Sequence, residues 1–533
     1  MRETDTGTDG NRLGASGFEG SGEARHRRVL VIGGGIAGLA AAHRLLASAG
    51  RDERVEVTVL EASDRLGGKL RAGEIAGVRV DLGAESMLAR RPEAVGLARE
   101  VGLGERLQPP STATASLWTR SVLHPMPKGH VMGVPAAADA LTGVLSEEGL
   151  ARIGQEADLP PVELGDDVAV GEFVAARLGR EVVDRLVEPL LGGVYAGDAY
   201  RISLRSAVPQ LFEEARRHPT LTAAVRAIQA RTAQHQQPGP VFMGIEGGIG
   251  TLPAAVADAV RALGGTILTG ERASTLRARG GAEQARRTGP GHPRPAGRPA
   301  RTPVPEPVWR VVTEQGRTFT ADQVIVALPA PAAASLLRTA SPLASQELRG
   351  IDYASMALIT MAFRTDEARL PEGSGFLVPP VDGHTIKAAT FASHKWGWIG
   401  AENPQLRVVR TSVGRYGDEK DLARDDADLV DAARHDLGAA TGQRAAPVAA
   451  HVTRWQDGLP QYPVGHTARV ARIRDHLTHL PGLTVCGAAY DGVGIPACIA
   501  SAYAAADELR GDGGAREELK ANPVQSLHGG AGE

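Results

Sequence analysis

The sequence predicts an α/β fold built around one nucleotide-binding βαβ unit. Three neighbouring segments support this: an apolar run at residues 29–32, an Ala-rich helical segment at 39–47 and a second apolar run at 55–60. Short runs rich in β-branched residues are typical of buried parallel strands. The chain has 533 residues, which is enough for two or three domains with sizeable cores.

The turn between the first strand and the helix carries glycines spaced as G-x-G-x-x-G. We expect Gly33 to permit a tight turn, Gly35 to let a pyrophosphate approach the backbone, and Gly38 to let helix and strand pack closely. The helix N-terminus then presents unpaired N–H groups to the pyrophosphate. Glu61, about 20 residues further on, suits ribose hydroxyl groups and disfavours a 2′-phosphate. The strand, turn, helix, second strand and acidic residue all occur in the order of a dinucleotide-binding unit. The segment therefore predicts a dinucleotide site rather than an ordinary glycine-rich turn.

Composition excludes several function classes. The net charge of −3 gives no reason to expect a nucleic-acid partner. The two cysteines, Cys486 and Cys498, match no metal-binding motif and rule out a disulfide framework, so we expect no metal and a reducing, cytoplasmic location. Residues 1–25 lack the apolar core of a signal peptide, and no charge-free apolar run reaches the roughly 18 residues of a membrane span.

The remaining segments predict two further structural units. Helical periodicity across residues 92–240, clearest at 92–101 and 168–191, predicts an inserted helical subdomain. Apolar runs predict an antiparallel sheet, the centre of a mixed-sheet substrate domain, with Trp396 and Trp398 packed in its core; they lie at residues 357–363, 375–378, 386–391 and 407–413. Strands of the nucleotide unit are expected at 266–268, 308–312, 319–329 and 483–486.

Residues 65–68, Arg-Leu-Gly-Gly, follow the predicted ribose-binding acid. This continuation resembles the GG-doublet flavoproteins, a superfamily that includes amine oxidases, phytoene desaturases and protoporphyrinogen oxidases. The resemblance implies FAD rather than NAD as the cofactor, held in a Rossmann-like FAD-binding domain of the GG-doublet type.

Four further segments resemble the protoporphyrinogen/coproporphyrinogen oxidase family. EPLLGGVYAGD at 188–198, with ISLRS at 202–206, is similar to the family's PLLxGVYAGD…LSLR signature, and WQDGLPQYPVGH at 455–466 is similar to its W…PQYxxGH signature. GVGIPACI at 492–499 resembles its last flavin contact. LHPMPKG at 123–129 resembles a loop of the soluble Gram-positive bacterial enzymes that act on coproporphyrinogen III. The resemblance covers about residues 27–510, apart from residues 278–307.

The resemblance also implies site residues. FAD contacts would fall at Gly33, Gly34, Gly35, Ile36, Ala37, Gly38, Glu61, Ala62, Lys69, Gly83, Ala84, Glu85, Ser86, Ala273, Ala488, Val493, Gly494 and Ile495. The arginine with which some members hold a propionate has no counterpart in residues 108–111, so we nominate Lys128 and Arg90 for the substrate. No catalytic acid or base is nominated, because the flavin carries the chemistry. Tyr462 and His466 are assigned a structural role.

The implied domain organisation has nine segments. The FAD-binding domain is expected in four pieces, at 27–108, 241–277, 308–330 and 482–510. The helical subdomain with part of the substrate domain is expected at 109–240, and the rest of the substrate domain at 331–481. Disordered tails are expected at 1–26 and 511–533, and a disordered insertion at 278–307.

The implied function is oxygen-dependent oxidation of coproporphyrinogen III to coproporphyrin III in haem biosynthesis, with release of hydrogen peroxide. The expected partners are the porphyrinogen and dioxygen; peripheral contact with a membrane or with other haem-pathway enzymes stays open. Three alternatives also stay open: a protoporphyrinogen IX oxidase, a flavin amine oxidase or desaturase, and a non-catalytic FAD-binding scaffold.

Overall fold

The computed structural model describes residues 25–50, 53–160, 164–234, 239–278 and 309–511. The predicted insertion and both predicted tails lie outside these residues except at their edges. The domain boundaries given above therefore remain predictions.

A five-stranded parallel sheet forms the centre of the nucleotide-binding part. Alternate side chains of its strands face opposite sides of the sheet, so both faces are apolar and covered. Its strands, from one edge to the other, are Thr266–Leu268, Glu53–Leu60, Arg25–Ile32, Gln323–Val326 and Leu483–Val485.

Helices cover one face of this sheet, and a mixed layer covers the other. The helices on the first face are Ile36–Ala47, Pro92–Glu100, Leu252–Ala262 and Ile495–Arg510. The second face packs on an antiparallel sheet of Ala273–Ala278, Trp309–Thr313 and Thr318–Ala321, with the helices Ala330–Leu337, Pro342–Arg349 and His466–Thr478.

One predicted strand is divided in the structure. The stretch predicted at 319–329 gives one antiparallel strand and one parallel strand, which separate at Asp322. The Asp322 carboxylate accepts hydrogen bonds from the backbone N–H of Arg28, at 2.8 Å, and from the guanidinium of the same residue. The chain turns at Asp322, where this pairing with a residue 294 positions away holds it, and an apolar pattern does not reveal such a long-range contact.

A seven-stranded sheet forms the second large unit, and the helix Asp426–Thr441 packs on one of its faces. Most neighbours are antiparallel, but one pair is parallel, so the sheet is mixed as predicted. Its strands in order are Ala449–Pro460, Tyr353–Arg364, Leu406–Val413, Ile386–Thr390, Gly375–Leu377, Ala115–Thr119 and Val122–Pro125.

A helical layer with its own apolar core lies beside this sheet. Its helices are Glu147–Gly154, Val170–Leu178, Arg180–Val182, Glu188–Tyr195, Leu204–Ala207, Pro209–Ala215 and Leu221–Gln234. The helix expected across 168–191 is interrupted, because Gly179 has a φ of +95° and residues 183–187 form a π-helical turn.

Shorter elements connect these units. They are the hairpin Ala72–Ile75 with Val78–Asp81, the strands Met87–Leu88, Leu107–Gln108 and Phe242–Ile245, the pair His130–Val131 with Val134–Pro135, and the helices Ala392–Lys395, Gly397–Glu402 and Ala488–Asp491. Trp396 and Trp398 are both buried, as expected. Within the described part of the chain, no helix is both long enough and apolar enough to cross a bilayer.

Candidate flavin and substrate site

The glycine-rich turn after the strand Arg25–Ile32 contains two glycines that the fold requires and one glycine that borders open space. Gly33 has a φ of +116°, and a Cβ there would lie 2.4 Å from the carbonyl oxygen of Ala327. A Cβ on Gly38 would lie 1.9 Å from the carbonyl oxygen of Gly33. By contrast, no atom lies within 4 Å of the point that a Cβ on Gly35 would occupy. The fold therefore requires Gly33 and Gly38, whereas Gly35 borders open space that a ligand can approach.

The helix Ile36–Ala47 begins at this turn with Gly35 as its N-cap, and no side chain caps it. The backbone N–H groups of Ile36, Ala37 and Gly38 belong to the first turn, where N–H groups have no partner within the helix. Together with the positive end of the helix dipole, they favour a bound anion. The residues present thus fit the pyrophosphate of FAD.

The GG doublet packs directly on this turn. The backbone N–H of Gly67 donates a hydrogen bond of 2.9 Å to the carbonyl oxygen of Gly34. Gly67 and Gly68 have φ values of +100° and +57°, and a Cβ on Gly67 would lie 2.7 Å from the carbonyl oxygen of Leu70. The doublet therefore forms the second wall of the phosphate-binding turn.

Glu61 is held in place by two hydrogen-bonded groups. Its Oε2 accepts from the backbone N–H of Gly34 at 2.7 Å, and its Oε1 accepts from the backbone N–H of Ser63 at 2.8 Å. Oε1 also accepts from the Ser63 hydroxyl at 2.7 Å, so Oε2 is the oxygen that keeps a lone pair for a ribose hydroxyl. Ala62, the next residue, is half-buried beside it.

The strand Ala273–Ala278 begins next to this carboxylate. The backbone N–H of Glu271 donates to the carbonyl oxygen of Glu61 at 2.8 Å, and the backbone N–H of Glu61 donates to Leu268 at the same distance. These bonds bring Ala273 to the ribose end of the site, which is where an adenine contact would lie.

Lys69 and Gly83 join the doublet to the segment predicted beside the flavin. A Cβ on Gly83 would lie 2.1 Å from the carbonyl oxygen of Lys69, so the two backbones touch. The Lys69 ammonium lies 5.3 Å from the centroid of the Tyr353 ring, and burial lowers the pKa of Lys69.

Glu85 lies in a buried ion-pair cluster, which we call the Glu85 cluster, with Lys395 and Arg410. Oε1 of Glu85 accepts from Nζ of Lys395 at 2.7 Å, and Oε2 accepts from the Arg410 guanidinium. Nη2 of Arg410 also donates to the carbonyl oxygen of Gly83 at 2.6 Å. Burial by itself raises the pKa of Glu85, but the two cations outweigh it and lower this pKa to about 2. A second buried carboxylate, Asp81, lies close enough to act on both Arg410 and Glu85, and burial raises its pKa to about 6.

The segment around Glu85 leaves its neighbours accessible. Ala84 is exposed and Ser86 is half-buried. Because the carboxylate of Glu85 is fully engaged with cations, it is suited to hold the segment rather than to move a proton.

The last turn of the sheet returns to the nucleotide loop. A Cβ on Gly487 would lie 3.9 Å from the Cβ of Ala37, so the two loops are neighbours. Gly494 is exposed and forms the N-cap of the helix Ile495–Arg510, with no capping side chain. The site therefore contains a second uncapped helix N-terminus, which fits the far end of a long dinucleotide.

Tyr462 anchors this last turn. Its hydroxyl donates to the carbonyl oxygen of Ala488, and its ring stacks on His466 with centroids 4.3 Å apart. Burial lowers the pKa of His466 to about 4, so this imidazole is neutral at neutral pH. Val493 packs against the core of the helical layer. These contacts agree with the structural role assigned to Tyr462 and His466.

The two signature segments noted in the sequence meet in space. Nε2 of Gln461 donates to the carbonyl oxygen of Tyr195 at 2.9 Å, and the backbone N–H of Ser203 donates to the carbonyl oxygen of Tyr462 at 2.8 Å. A Cβ on Gly197 would lie 2.5 Å from Oε1 of Gln461. The segments therefore form one junction between the helical layer and the sheet.

A cavity of about 310 Å³ lies between the helix Glu188–Tyr195 and the face of the seven-stranded sheet. Its wall is mainly apolar, as is usual for a small-molecule site. The wall includes Leu88, Pro110, Met126, Val131, Met132, Leu190, Gly193, Val194, Phe242, Gly375, Leu377, Ala388, Thr390 and Lys395. Since Lys395 belongs to both the wall and the Glu85 cluster, the cavity abuts the segment predicted beside the flavin.

Lys128 and Arg90 are exposed, and neither lines this cavity, although Met126 and Leu88 nearby in the chain do. Their substrate role stays a prediction.

The structure adds Lys395 and Arg410, which lie 310 and 325 residues from Glu85 in sequence. No sequence signal marked either cation, because the partner that fixes them is so distant along the chain. Among the described residues, no group of three metal-ligating side chains converges.

Comparison with known proteins places this geometry in a family. Residues 36–510 match the model of the flavin-containing amine oxidoreductases. The chain is 35% identical over 492 residues to a coproporphyrinogen III oxidase of Mycobacterium leprae (strain TN), covering 91% of this chain and 99% of that protein. It is 37% identical over 478 residues to a coproporphyrinogen III oxidase of Mycobacterium bovis, and the match covers 89% of this chain and 96% of that protein.

A solved structure agrees with the fold. The crystal structure of a putative protoporphyrinogen oxidase from Exiguobacterium sp. 255-15 superposes with a TM-score of 0.75 at 30% identity, covering 91% of this chain and 99% of that one. The GG-doublet fold class and the FAD cofactor predicted from the sequence are thereby confirmed. The chain belongs to the flavin-containing amine oxidoreductase family, with FAD as its cofactor and the coproporphyrinogen III oxidases among its relatives.

Proposed function

We propose that the protein oxidises coproporphyrinogen III to coproporphyrin III, with dioxygen as the electron acceptor and hydrogen peroxide as the second product. The observation that carries this proposal is the 35–37% identity to coproporphyrinogen III oxidases over about nine-tenths of the chain. The junction of the two signature segments and the cavity beside it support the same conclusion.

FAD, when bound, supplies a hydride acceptor that dioxygen can reoxidise. The protein's own residues then have three tasks. The glycine loop and Glu61 hold the dinucleotide, the Glu85 cluster fixes the segment beside the flavin, and the apolar cavity excludes water from the substrate. We propose the full set of contacts given above for FAD on this basis.

The charge of the site favours an anionic substrate over an amine. Among the described residues that line the cavity there is one lysine, Lys395, and no carboxylate. A protonated amine would be repelled there, whereas a propionate would be attracted, since opposite charges stabilise each other strongly at low dielectric. The site therefore supports a porphyrinogen oxidase better than an amine oxidase.

The substrate assignment is tested by aerobic assays of the purified holoenzyme. Porphyrin fluorescence and peroxide formation are measured with coproporphyrinogen III and with protoporphyrinogen IX. We expect faster turnover of coproporphyrinogen III. Faster turnover of protoporphyrinogen IX would refute the substrate assignment but keep the family, and no turnover of either would favour a scaffold role.

We place the protein in the cytoplasm, because both cysteines are free and buried and a reducing compartment suits them. Dioxygen is the proposed electron acceptor.

A further inference from the structure

Lys387 is a buried lysine without a partner, and the flavin chemistry makes no use of it. Its side chain is 4% exposed, in the strand Ile386–Thr390. In the described part of the chain, no carboxylate lies within 4 Å of its ammonium and no acceptor bonds to it. A buried lysine costs free energy unless it is paired. Such a residue therefore points to a ligand that supplies the missing charge.

Lys387 lies in the sheet next to a residue of the cavity wall. Ile386 pairs with Val413 in the core of the sheet, and Ala388 pairs with Ser412, with a β-bulge between the two pairs. Ala388 lines the cavity. Lys387 is the extra residue of this bulge, and bulges re-aim side chains next to functional sites.

A second buried cation, Arg415, is linked to Lys387 through the backbone of Val378. Arg415 is 9% exposed and donates from Nη2 to the carbonyl oxygen of Val378 at 2.9 Å. The backbone N–H of Val378 donates to the carbonyl oxygen of Lys387 at 2.9 Å, so both residues bind the backbone of Val378. Burial first, and the charge of Arg415 second, lower the pKa of Lys387 to about 7. Nε of Arg415 would lie 4.0 Å from a Cβ on Gly192, and Gly193 lines the cavity.

The nearest acid does not neutralise this pair. Oε2 of Glu188 accepts a hydrogen bond of 2.6 Å from the backbone N–H of Ala199. Burial raises the pKa of Glu188 to about 7. Glu188 makes no ion pair within 4 Å of Arg415 among the described residues. Arg415 and the partly protonated Lys387 thus lie near one partly ionised acid, beside an apolar cavity.

We propose that Lys387 and Arg415, which adjoin the wall residues Ala388 and Gly193 but do not themselves line the cavity, receive one carboxylate of the substrate between the helix Glu188–Tyr195 and the strand Ile386–Thr390. The proposal rests on the proposed function, since a porphyrinogen supplies propionate carboxylates. One propionate fixed at this depth sets the rotation of the macrocycle and hence which bridge carbon lies nearest the flavin. This site is separate from Lys128 and Arg90, which lie on the exposed side.

The test combines one substitution with one change in the ligand. Affinities for coproporphyrin III and for its tetramethyl ester are measured by porphyrin fluorescence on FAD-loaded wild-type protein, Lys387→Met and Lys387→Arg. We expect Lys387→Met to bind the acid about ten- to a hundredfold more weakly, the usual range for losing a charge-assisted contact. The ester should bind equally to the wild type and to Lys387→Met. Lys387→Arg should recover much of the affinity for the acid.

Thermal unfolding distinguishes a binding residue from a structural one. Lys387→Met removes an unpaired buried charge, so its Tm should equal or exceed that of the wild type. Lys420→Met, at an exposed lysine, is the matched control and should change neither affinity nor Tm. A variant that binds the acid as tightly as wild type, or that loses acid and ester affinity together with Tm, would overturn the proposal. If wild-type protein neither binds nor oxidises the porphyrin series, it is the proposed function that fails.

Discussion

Two substitutions in the glycine loop should have different effects, one on cofactor binding and the other on the stability of the fold. Gly35 and Gly38 belong to the same motif, but their surroundings differ. A Cβ on Gly35 would meet no atom within 4 Å, whereas a Cβ on Gly38 would lie 1.9 Å from the carbonyl oxygen of Gly33. Gly35→Ala should therefore affect only the ligand, and Gly38→Ala should affect the fold itself.

The magnitudes follow from these distances. Gly35 has a φ of −74° and a ψ of 176°, which alanine adopts without strain, so Gly35→Ala should leave the apoprotein as stable or add about 0.4–1 kcal/mol through the unfolded state. Its methyl group would hold the pyrophosphate away from the helix N–H groups. Loss of one charge-assisted hydrogen bond, about 1.5–3 kcal/mol, predicts roughly ten- to a hundredfold weaker FAD binding. Gly38→Ala forces the backbone apart and should cost about 1–3 kcal/mol of stability or more.

The assay uses apoprotein reconstituted with FAD. Urea unfolding of each apoprotein gives the free energy of unfolding, and quenching of flavin fluorescence gives the FAD affinity. The reasoning is refuted if Gly35→Ala destabilises the apoprotein as much as Gly38→Ala does, or if Gly35→Ala binds FAD as tightly as wild type.

Further predictions concern the rest of the site. Glu61→Ala should weaken FAD binding by about 1–3 kcal/mol in the same titration, since it removes the ribose acceptor; unchanged affinity would exclude that role. Glu85 has a folded pKa of about 2, below its ordinary 4.5, so its contribution of about 3 kcal/mol is fully present above pH 4.5 and is lost as the pH falls towards 2. In Glu85→Gln, the free energy of unfolding should be lower at neutral pH and depend less on pH in that window; an unaltered acid profile would contradict the ion-pair assignment. Ala278 and Trp309 are direct neighbours in an antiparallel pair, so an Asn-Gly turn in place of residues 279–308 should preserve FAD content and Tm; loss of either would show that this segment is needed. Lys128→Ala should reduce turnover of coproporphyrinogen III more than that of protoporphyrinogen IX if Lys128 meets a propionate; equal reduction of both rates would argue against that contact.

Local sequence patterns determined the nucleotide-binding part. The βαβ unit, its glycines and Glu61 lie within about 40 residues, and each is specified by backbone conformation or by contacts between near neighbours. Gly33 needs its positive φ, and Gly67 and Gly68 need theirs, so the glycines that mark the site in sequence are those that the backbone requires. The FAD cofactor and the fold class could therefore be predicted without coordinates.

Only the tertiary structure decided how charge is arranged around the cavity. Lys395 and Arg410 meet Glu85 across more than 300 residues of chain. Lys387, in a β-bulge, and Arg415, in a neighbouring loop, both bind the backbone of Val378, a link that no sequence pattern indicated. A charged residue is commonly exposed, and its sequence context does not show when long-range packing buries it. The predicted substrate residues Lys128 and Arg90 illustrate the limit, because chain order placed them near the flavin whereas the folded cavity is lined by Lys395.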